Sequence, residues 1–192
     1  MAIKTDLFDN SLKEHIETIN SISPLRKEIE SLASIAVKTL KRGNKILLMG
    51  NGGSAADSQH MAAEIIVRYK KNRKALPAIA LSTDSSILTA TGNDFSFDAI
   101  FSRQIEALAV KNDLVIGIST SGNSSNVIEG IKAAKKIKCH TAALLGNGGG
   151  NIAKLVDSSI IVQSGITARV QECHIFIIHL ICEIIEEAFN ES

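Results

Sequence analysis

Five short, evenly apolar runs alternate with segments of helical pattern from residue 45 onward, and this alternation constrains the chain more than any other feature. The runs fall at 45–49, 78–81, 114–118, 140–145 and 159–162. Helical stretches are expected at 54–69, 85–91, 97–110 and 125–136, with a short one at 151–156 and a long one at 168–189. Strands apolar along their whole length belong to parallel sheets covered on both faces. Right-handed crossovers then give an α/β fold with a doubly wound, five-stranded parallel sheet.

Residues 1–43 read differently. Two helices are expected, at 6–19 and 25–42, separated by a break at 21–24. Ile29, Leu32, Ile35, Ala36 and Leu40 form one apolar stripe, and Gly43-Asn44 closes the second helix. Two helices ahead of a complete α/β unit are surplus to one core, so this N-terminal helical arm is expected to pack partly on a partner chain. The division is an oligomerisation arm over 1–43 and a ligand-binding domain over 44–192, together one structural unit.

Composition narrows the function. The chain has 192 residues, 45% of them hydrophobic, and a formal net charge of +1. That length suits one domain, and that charge offers no field for nucleic acid or an anionic membrane. With no Trp and one Tyr, base stacking is not a binding mode to expect. Cys139, Cys173 and Cys182 form no CxxC pair, which suits unpaired thiols in a reducing compartment. The first ten residues are too polar for a signal peptide, and the apolar run at 175–185 is short and broken by His179 and Glu183. A cytoplasmic protein without nucleic-acid or membrane partners is expected.

Ligands of doubly wound sheets sit beyond the C-terminal strand ends. Two loops there stand out. Gly50-Asn51-Gly52-Gly53-Ser54 precedes a helix, so its glycines admit an anion to the helix N-terminus. The loop from Ser119 to Ser125 carries five hydroxyls in seven residues, enough to hold a phosphate without Lys. The plainer readings are a common glycine turn and an N-cap at Ser124 or Ser125. The similar loop at 146–150 has no hydroxyl after it and reads as a turn. Gly50-x-Gly52-x-x-Ala55 also fits a loose dinucleotide fingerprint, but its acidic partner, Asp84, lies too far along, and no separate substrate domain is present.

His60 and Glu64 lie one helical turn apart, which suits two ligands of one metal or a base with its orienting partner; an exposed ion pair is the plainer reading. The last helix carries Gln171, Glu172, His174, His179 and Glu183. His179 sits among Ile177, Ile178, Leu180 and Ile181, where a polar ring needs partners; a core histidine bonded to a carbonyl is the alternative. Gln171 and His179 are about 12 Å apart along the helix axis, so they meet at one atom only by reaching toward each other or by coming from different subunits. Solvated faces account for His174 and Glu183, while His15 and His140 look incidental. Asn93-Asp94 reads as a polar loop, with Asp94 either accepting sugar hydroxyls or capping the next helix.

Taken together, GNGGSAADSQHMAAE, TGNDFSFD, GISTSGNSSNV and TARVQECHIFIIHLICEIIE resemble the SIS (sugar isomerase) domain family, and within it the bacterial phosphoheptose isomerases, over nearly the whole chain. The resemblance implies a flavodoxin-like sheet and a homotetramer with sites between subunits. It implies interconversion of sedoheptulose 7-phosphate and D-glycero-D-manno-heptose 7-phosphate, the first step toward nucleotide-activated heptose for lipopolysaccharide or capsule. It implies a zinc ion on His60, Glu64, Gln171 and His179. Substrate contacts would be Asn51, Gly52, Gly53, Ser54, Glu64, Asn93, Asp94 and Gln171, with Ser119, Thr120, Ser121 and Ser124 on the phosphate. Ala168 departs from the family pattern, which often has an acidic residue there. An enediol route needs a base and an acid, assigned to Glu64 and His179. The rival is a non-catalytic phosphosugar-binding regulator or replication-initiator adaptor; it would need the loops but not His60, Glu64 and His179 together.

Overall fold

The computed structural model describes residues 6–190. Two N-terminal helices, α1 (Asp6–Asn20) and α2 (Arg26–Lys41), lead into β1 (Ile46–Gly50) and α3 (Gly53–Ile66). There follow β2 (Ala78–Ala80), α4 (Ser85–Asp94), α5 (Ser102–Leu108), β3 (Leu114–Ser119), α6 (Ser125–Ile137), β4 (His140–Leu145), β5 (Ser158–Ile161) and α7 (Thr167–Phe189). The strands form one sheet in the order β2-β1-β3-β4-β5, every pairing parallel. The order reverses direction between β1 and β3, which opens a crevice at the C-terminal ends of those two strands.

Alternation along the strands builds two cores. Ile46, Leu48, Leu114, Ile116 and Leu144 point to the face covered by α2, α3 and α7. Leu47, Met49, Val115, Ala143 and Leu145 point to the face that holds Ile105 of α5 and Val127 and Ile131 of α6. Burial on both sides is why β1 and β3, at the centre of the sheet, are apolar without interruption, while β5 at its edge carries Ser158 and Ser159 and is only partly buried. Gly130 lets Met49 approach α6: a Cβ there would lie 2.5 Å from the Met49 sulfur.

Three expectations change. First, α2 is not surplus: Ile29, Leu32, Ala33, Ala36 and Leu40 are part of the first core. The apolar stripe is plain in the sequence, but a stripe does not name its partner. Among the described residues of α1, by contrast, Leu7, Phe8, Leu12 and Ile16 are exposed. Arg169 anchors this helix by donating to the Ser11 carbonyl at 2.7 Å, and His15 meets Glu172 at 2.8 Å. Second, Asn93 and Asp94 form the last turn of α4 rather than a loop, since Gly92 does not end the helix and the Phe95 N–H bonds to the Thr91 carbonyl. Asp94 does not cap the 3₁₀ turn at Phe97–Ala99; Ser96 holds that position. Third, the helix expected at 151–156 is one 3₁₀ turn, Ile152–Lys154. Asp84, the acid a dinucleotide would require, instead caps α4 by accepting from the Ile87 N–H at 2.9 Å.

Candidate active site

Gly50 is level with Ile118 across the β1–β3 pair, so the glycine loop and the hydroxyl loop leave the sheet side by side. A reciprocal amide pair joins them: Asn51 Nδ2 donates to Asn126 Oδ1 at 2.9 Å, and Asn126 Nδ2 returns to Asn51 Oδ1 at 2.8 Å. Asn126 is buried, and nothing in its local sequence marks it out; its partner is 75 residues away. Gly52 precedes α3 with φ of 55°, a conformation that favours glycine.

The hydroxyls converge. Ser119 Oγ lies 2.9 Å from Ser124 Oγ and 3.4 Å from Ser121 Oγ. Ser124 occupies the N-cap position of α6, yet its side chain makes no capping bond and turns to Ser119 instead. A cavity of about 270 Å³ opens here, lined by Asn51, Gly52, Gly53 and Ser54 from the first loop, Ile118, Ser119, Thr120 and Ser124 from the second, and Thr167 and Gln171 from α7. The first turns of α3 and α7 border it and that of α6 comes directly after Ser124, so three positive helix ends face one polar space. Thr167 is a lining residue that sequence reasoning missed. Asn93 and Asp94 do not line the cavity; they are exposed and bond to each other at 2.8 Å.

The loop at 146–150 is more than a turn. A Cβ on Gly122 would lie 2.2 Å from the Gly149 carbonyl oxygen, so the hydroxyl loop rests directly on this backbone. The Ile152 N–H donates to the Gly122 carbonyl at 2.9 Å, and the Asn151 N–H to Asn123 Oδ1 at 3.0 Å.

Helices α3 and α7 run side by side in the same direction, each leaving a parallel strand. At their starts Gln171 covers Gly53; two turns on, His179 meets His60. The two Nε2 atoms are 3.0 Å apart, and Glu64 Oε1 is 3.3 Å from the same His60 nitrogen. One ring must accept in that contact, so one of the facing nitrogens carries no proton. The chain thus brings His60, Glu64 and His179 together, while Gln171 stays with the cavity. Among the described residues, no group of three or more His, Cys, Asp or Glu side chains is arranged as a metal cage. The donor types still suit one, with two converging imidazole nitrogens and a carboxylate oxygen sharing one nitrogen as neighbour.

Two further ionisable groups lie nearby. Asp57, one turn before His60, has its Oδ2 buried without a partner. Burial pushes its pKa up to about 6, against the opposing pull of His60. His174 is fully buried rather than on a solvated face. Its Nε2 lies 3.1 Å from the Leu145 carbonyl, and burial lowers its pKa to about 4, so it is a neutral core residue. Glu183 is tied to Lys70 at 2.7 Å. No helix among the described residues is long and apolar enough to cross a membrane.

Known proteins share this arrangement of elements. The SIS domain model matches residues 9–146. The phosphoheptose isomerase of Aliarcobacter butzleri is 55% identical over 177 residues, covering 92% of this chain and 94% of the relative. A solved phosphoheptose isomerase from Neisseria gonorrhoeae superposes with a TM-score of 0.83 at 43% identity, covering 94% of this chain and 95% of that one. Another from Francisella tularensis gives a TM-score of 0.86 at 34% identity, covering 95% of each. The chain belongs to the SIS domain family and, within it, to the phosphoheptose isomerases.

Proposed function

We propose that the protein is an aldose–ketose isomerase that interconverts sedoheptulose 7-phosphate and D-glycero-D-manno-heptose 7-phosphate. The observation that carries the mechanism is the meeting of His60, Glu64 and His179 two turns along the helix that starts at the hydroxyl-lined cavity. A phosphosugar receptor needs the cavity; it does not need that cluster.

In this reading Ser119, Thr120, Ser121 and Ser124 hold the phosphate, helped by the helix ends. Asn51, Gly52, Gly53, Ser54 and Gln171 line the path of the sugar. Asn93 and Asp94 lie outside the cavity lining of one chain, and their contact with sugar belongs to an assembled oligomer. Holding the phosphate fixes the distant reacting carbons and turns remote binding energy into orientation. Glu64 takes the proton from C1 of the ketose while His179 gives one to the carbonyl oxygen at C2. The enediol then loses the O1 proton and receives a proton at C2, giving the aldose. His60, Glu64 and His179 would hold a zinc-type cation, with Gln171 as the fourth ligand that the family resemblance implies. When bound, such a cation polarises the carbonyl as a Lewis acid.

The assembly proposed is a homotetramer with sites between subunits, in the cytoplasm, feeding nucleotide-activated heptose for lipopolysaccharide or capsule. The exposed Leu7, Phe8, Leu12 and Ile16 of α1 support contact with another copy. The test is direct: measure zinc in the purified protein and assay isomerisation of sedoheptulose 7-phosphate with and without a chelator. Turnover that is lost on chelation and restored by zinc is expected. Phosphate binding without turnover under any metal would leave only a sugar-phosphate receptor.

A further inference from the structure

The segment between α3 and β2 makes contacts that the steps above leave without a role. Glu186, near the end of α7, is 2% exposed, and its carboxylate accepts from three successive backbone N–H groups. Oε1 takes Tyr69 at 2.8 Å; Oε2 takes Lys70 at 2.8 Å and Lys71 at 2.9 Å. Burial alone would raise the pKa of this group, but the three donors and nearby Arg73 outweigh it and hold the carboxyl below its usual range. Lys70 and Lys71 add ion pairs to Glu183 and Glu187. Arg73, in the same segment, donates to the main-chain carbonyl of Glu64 at 2.7 Å, capping the end of α3.

This clamp delivers one side chain to the reactive cluster. The Tyr69 ring centroid lies 5.6 Å from that of His179, with the planes 33° apart. His179 is only half-buried, and its ring torsion is intrinsically broad. Its Nε2 contact with His60 restrains a single atom lying close to the Cβ–Cγ axis, so it restricts turning of the ring about that bond only weakly. A second ring packed against it restricts that rotation.

We propose that Tyr69 and Glu186 are positioning residues for His179: Glu186 fixes the 69–71 backbone so that the Tyr69 ring holds the His179 imidazole in its reactive orientation. The proposal rests on the reading of His179 as the acid at the carbonyl oxygen. Tyr69 acts through its ring face, and its hydroxyl has no part.

The experiment compares Tyr69→Phe, Tyr69→Ala, Glu186→Gln and the Tyr69→Ala/Glu186→Gln double variant, each first checked for a cooperative melt. Tyr69→Ala is expected to lower kcat about tenfold with KM little changed, and to weaken zinc retention against a competing chelator about tenfold. Tyr69→Phe should stay near wild type in both. Glu186→Gln, which cannot accept three N–H groups on one charged carboxylate, should resemble Tyr69→Ala, and the double variant should be no worse than the poorer single. Should Glu186→Gln fail to fold, the two Tyr69 variants decide. A Tyr69→Ala enzyme with unchanged kcat and zinc retention overturns the proposal, as does Tyr69→Phe as impaired as Tyr69→Ala, or strictly additive losses. A wild-type chain without isomerase activity would refute the isomerase reading itself, whereas an active wild type with a silent Tyr69→Ala refutes this inference alone.

Discussion

Gln171 lies across Gly53 so closely that a Cβ on Gly53 would sit 2.3 Å from its Nε2. The contact joins the first turns of α3 and α7 at the mouth of the cavity. Gly53→Ala separates stability from function here. Alanine favours the helix over glycine by up to about 1 kcal/mol, and the atom it strikes is the end of a flexible side chain. The melting temperature should therefore hold or rise slightly. Gln171 has to leave its place, so kcat/KM is expected to fall about tenfold or more. Steady-state kinetics beside a thermal melt check both halves.

Gly122→Ala should cost stability as well as function. Gly122 has φ of 67°, and its Cβ would meet the Gly149 carbonyl oxygen at 2.2 Å and the Gly150 nitrogen at 2.8 Å. These neighbours are backbone and cannot swing away. Left-handed strain and overpacking together cost about 2–4 kcal/mol. The loss falls on the hydroxyl loop, so inorganic phosphate binding should weaken along with the melting temperature. Calorimetric titration with phosphate and a denaturation curve would test this.

These two glycines show where the sequence is legible and where it stops. The five strands and the flanking helices are readable because burial between two helical layers leaves short, mainly apolar runs, unbroken in β1 and β3, and the helices leave their own period. The two ligand-edge loops come from the same reading. Contacts between distant segments leave no local trace. The Gly122–Gly149 approach, the Asn51–Asn126 amide pair and the Glu186 clamp each depend on partners far apart in the chain. Asn93-Asp94 reads as a loop because Gly92 suggests a helix end, yet the helix continues to Asp94 and closes with the Phe95 N–H on the Thr91 carbonyl. The spacing of Gln171 and His179 is informative: eight residues hold them two turns apart, and the structure keeps them at separate neighbours, Gly53 and His60.

Glu64→Gln tests the base. Glutamine keeps the size and one oxygen beside His60, whose Nε2 lies 3.3 Å from Oε1 of Glu64, but it cannot accept a carbon-bound proton. Turnover should fall by about 10³-fold or more, while phosphate binding at the hydroxyl loop persists. Substantial turnover in this variant would remove Glu64 from the base role. Exchange of the C1 hydrogen of the ketose with deuterated solvent reports the same step independently.

At the opposite, N-terminal end of the strands, Asp113 fastens β1 to β3. Its fully buried carboxylate meets Lys45 Nζ at 2.7 Å and accepts the Lys45 and Val110 N–H groups at 3.0 and 2.8 Å. Burial alone would raise its pKa, but Lys45 and the backbone donors prevail and lower it. A depressed carboxyl pKa contributes stability above the unfolded value, and this is lost as pH falls through the folded value. Asp113→Asn should therefore cost about 2 kcal/mol near neutral pH, with partial exposure of Lys45 limiting the loss. The difference from wild type should shrink below about pH 4. Denaturation midpoints of both proteins across pH 3–8 give the answer.

Asp57 carries the opposite sign. Its Oδ2 is buried without a partner, and burial raises its pKa to about 6. A raised carboxyl pKa means the folded state binds the proton more tightly than the unfolded chain. Its relative stability is greatest below the unfolded value near 4 and is lost as pH climbs through about 6. Asp57→Asn removes the charge and should lift the melting temperature about 2 °C or more at pH 7.5, with little change at pH 4. The comparison is made in EDTA, because a cation beside His60 would itself favour the ionised carboxylate. A variant equally stable relative to wild type at both pH values would mean that Asp57 finds a partner in solution, through water or another subunit, that its present surroundings lack.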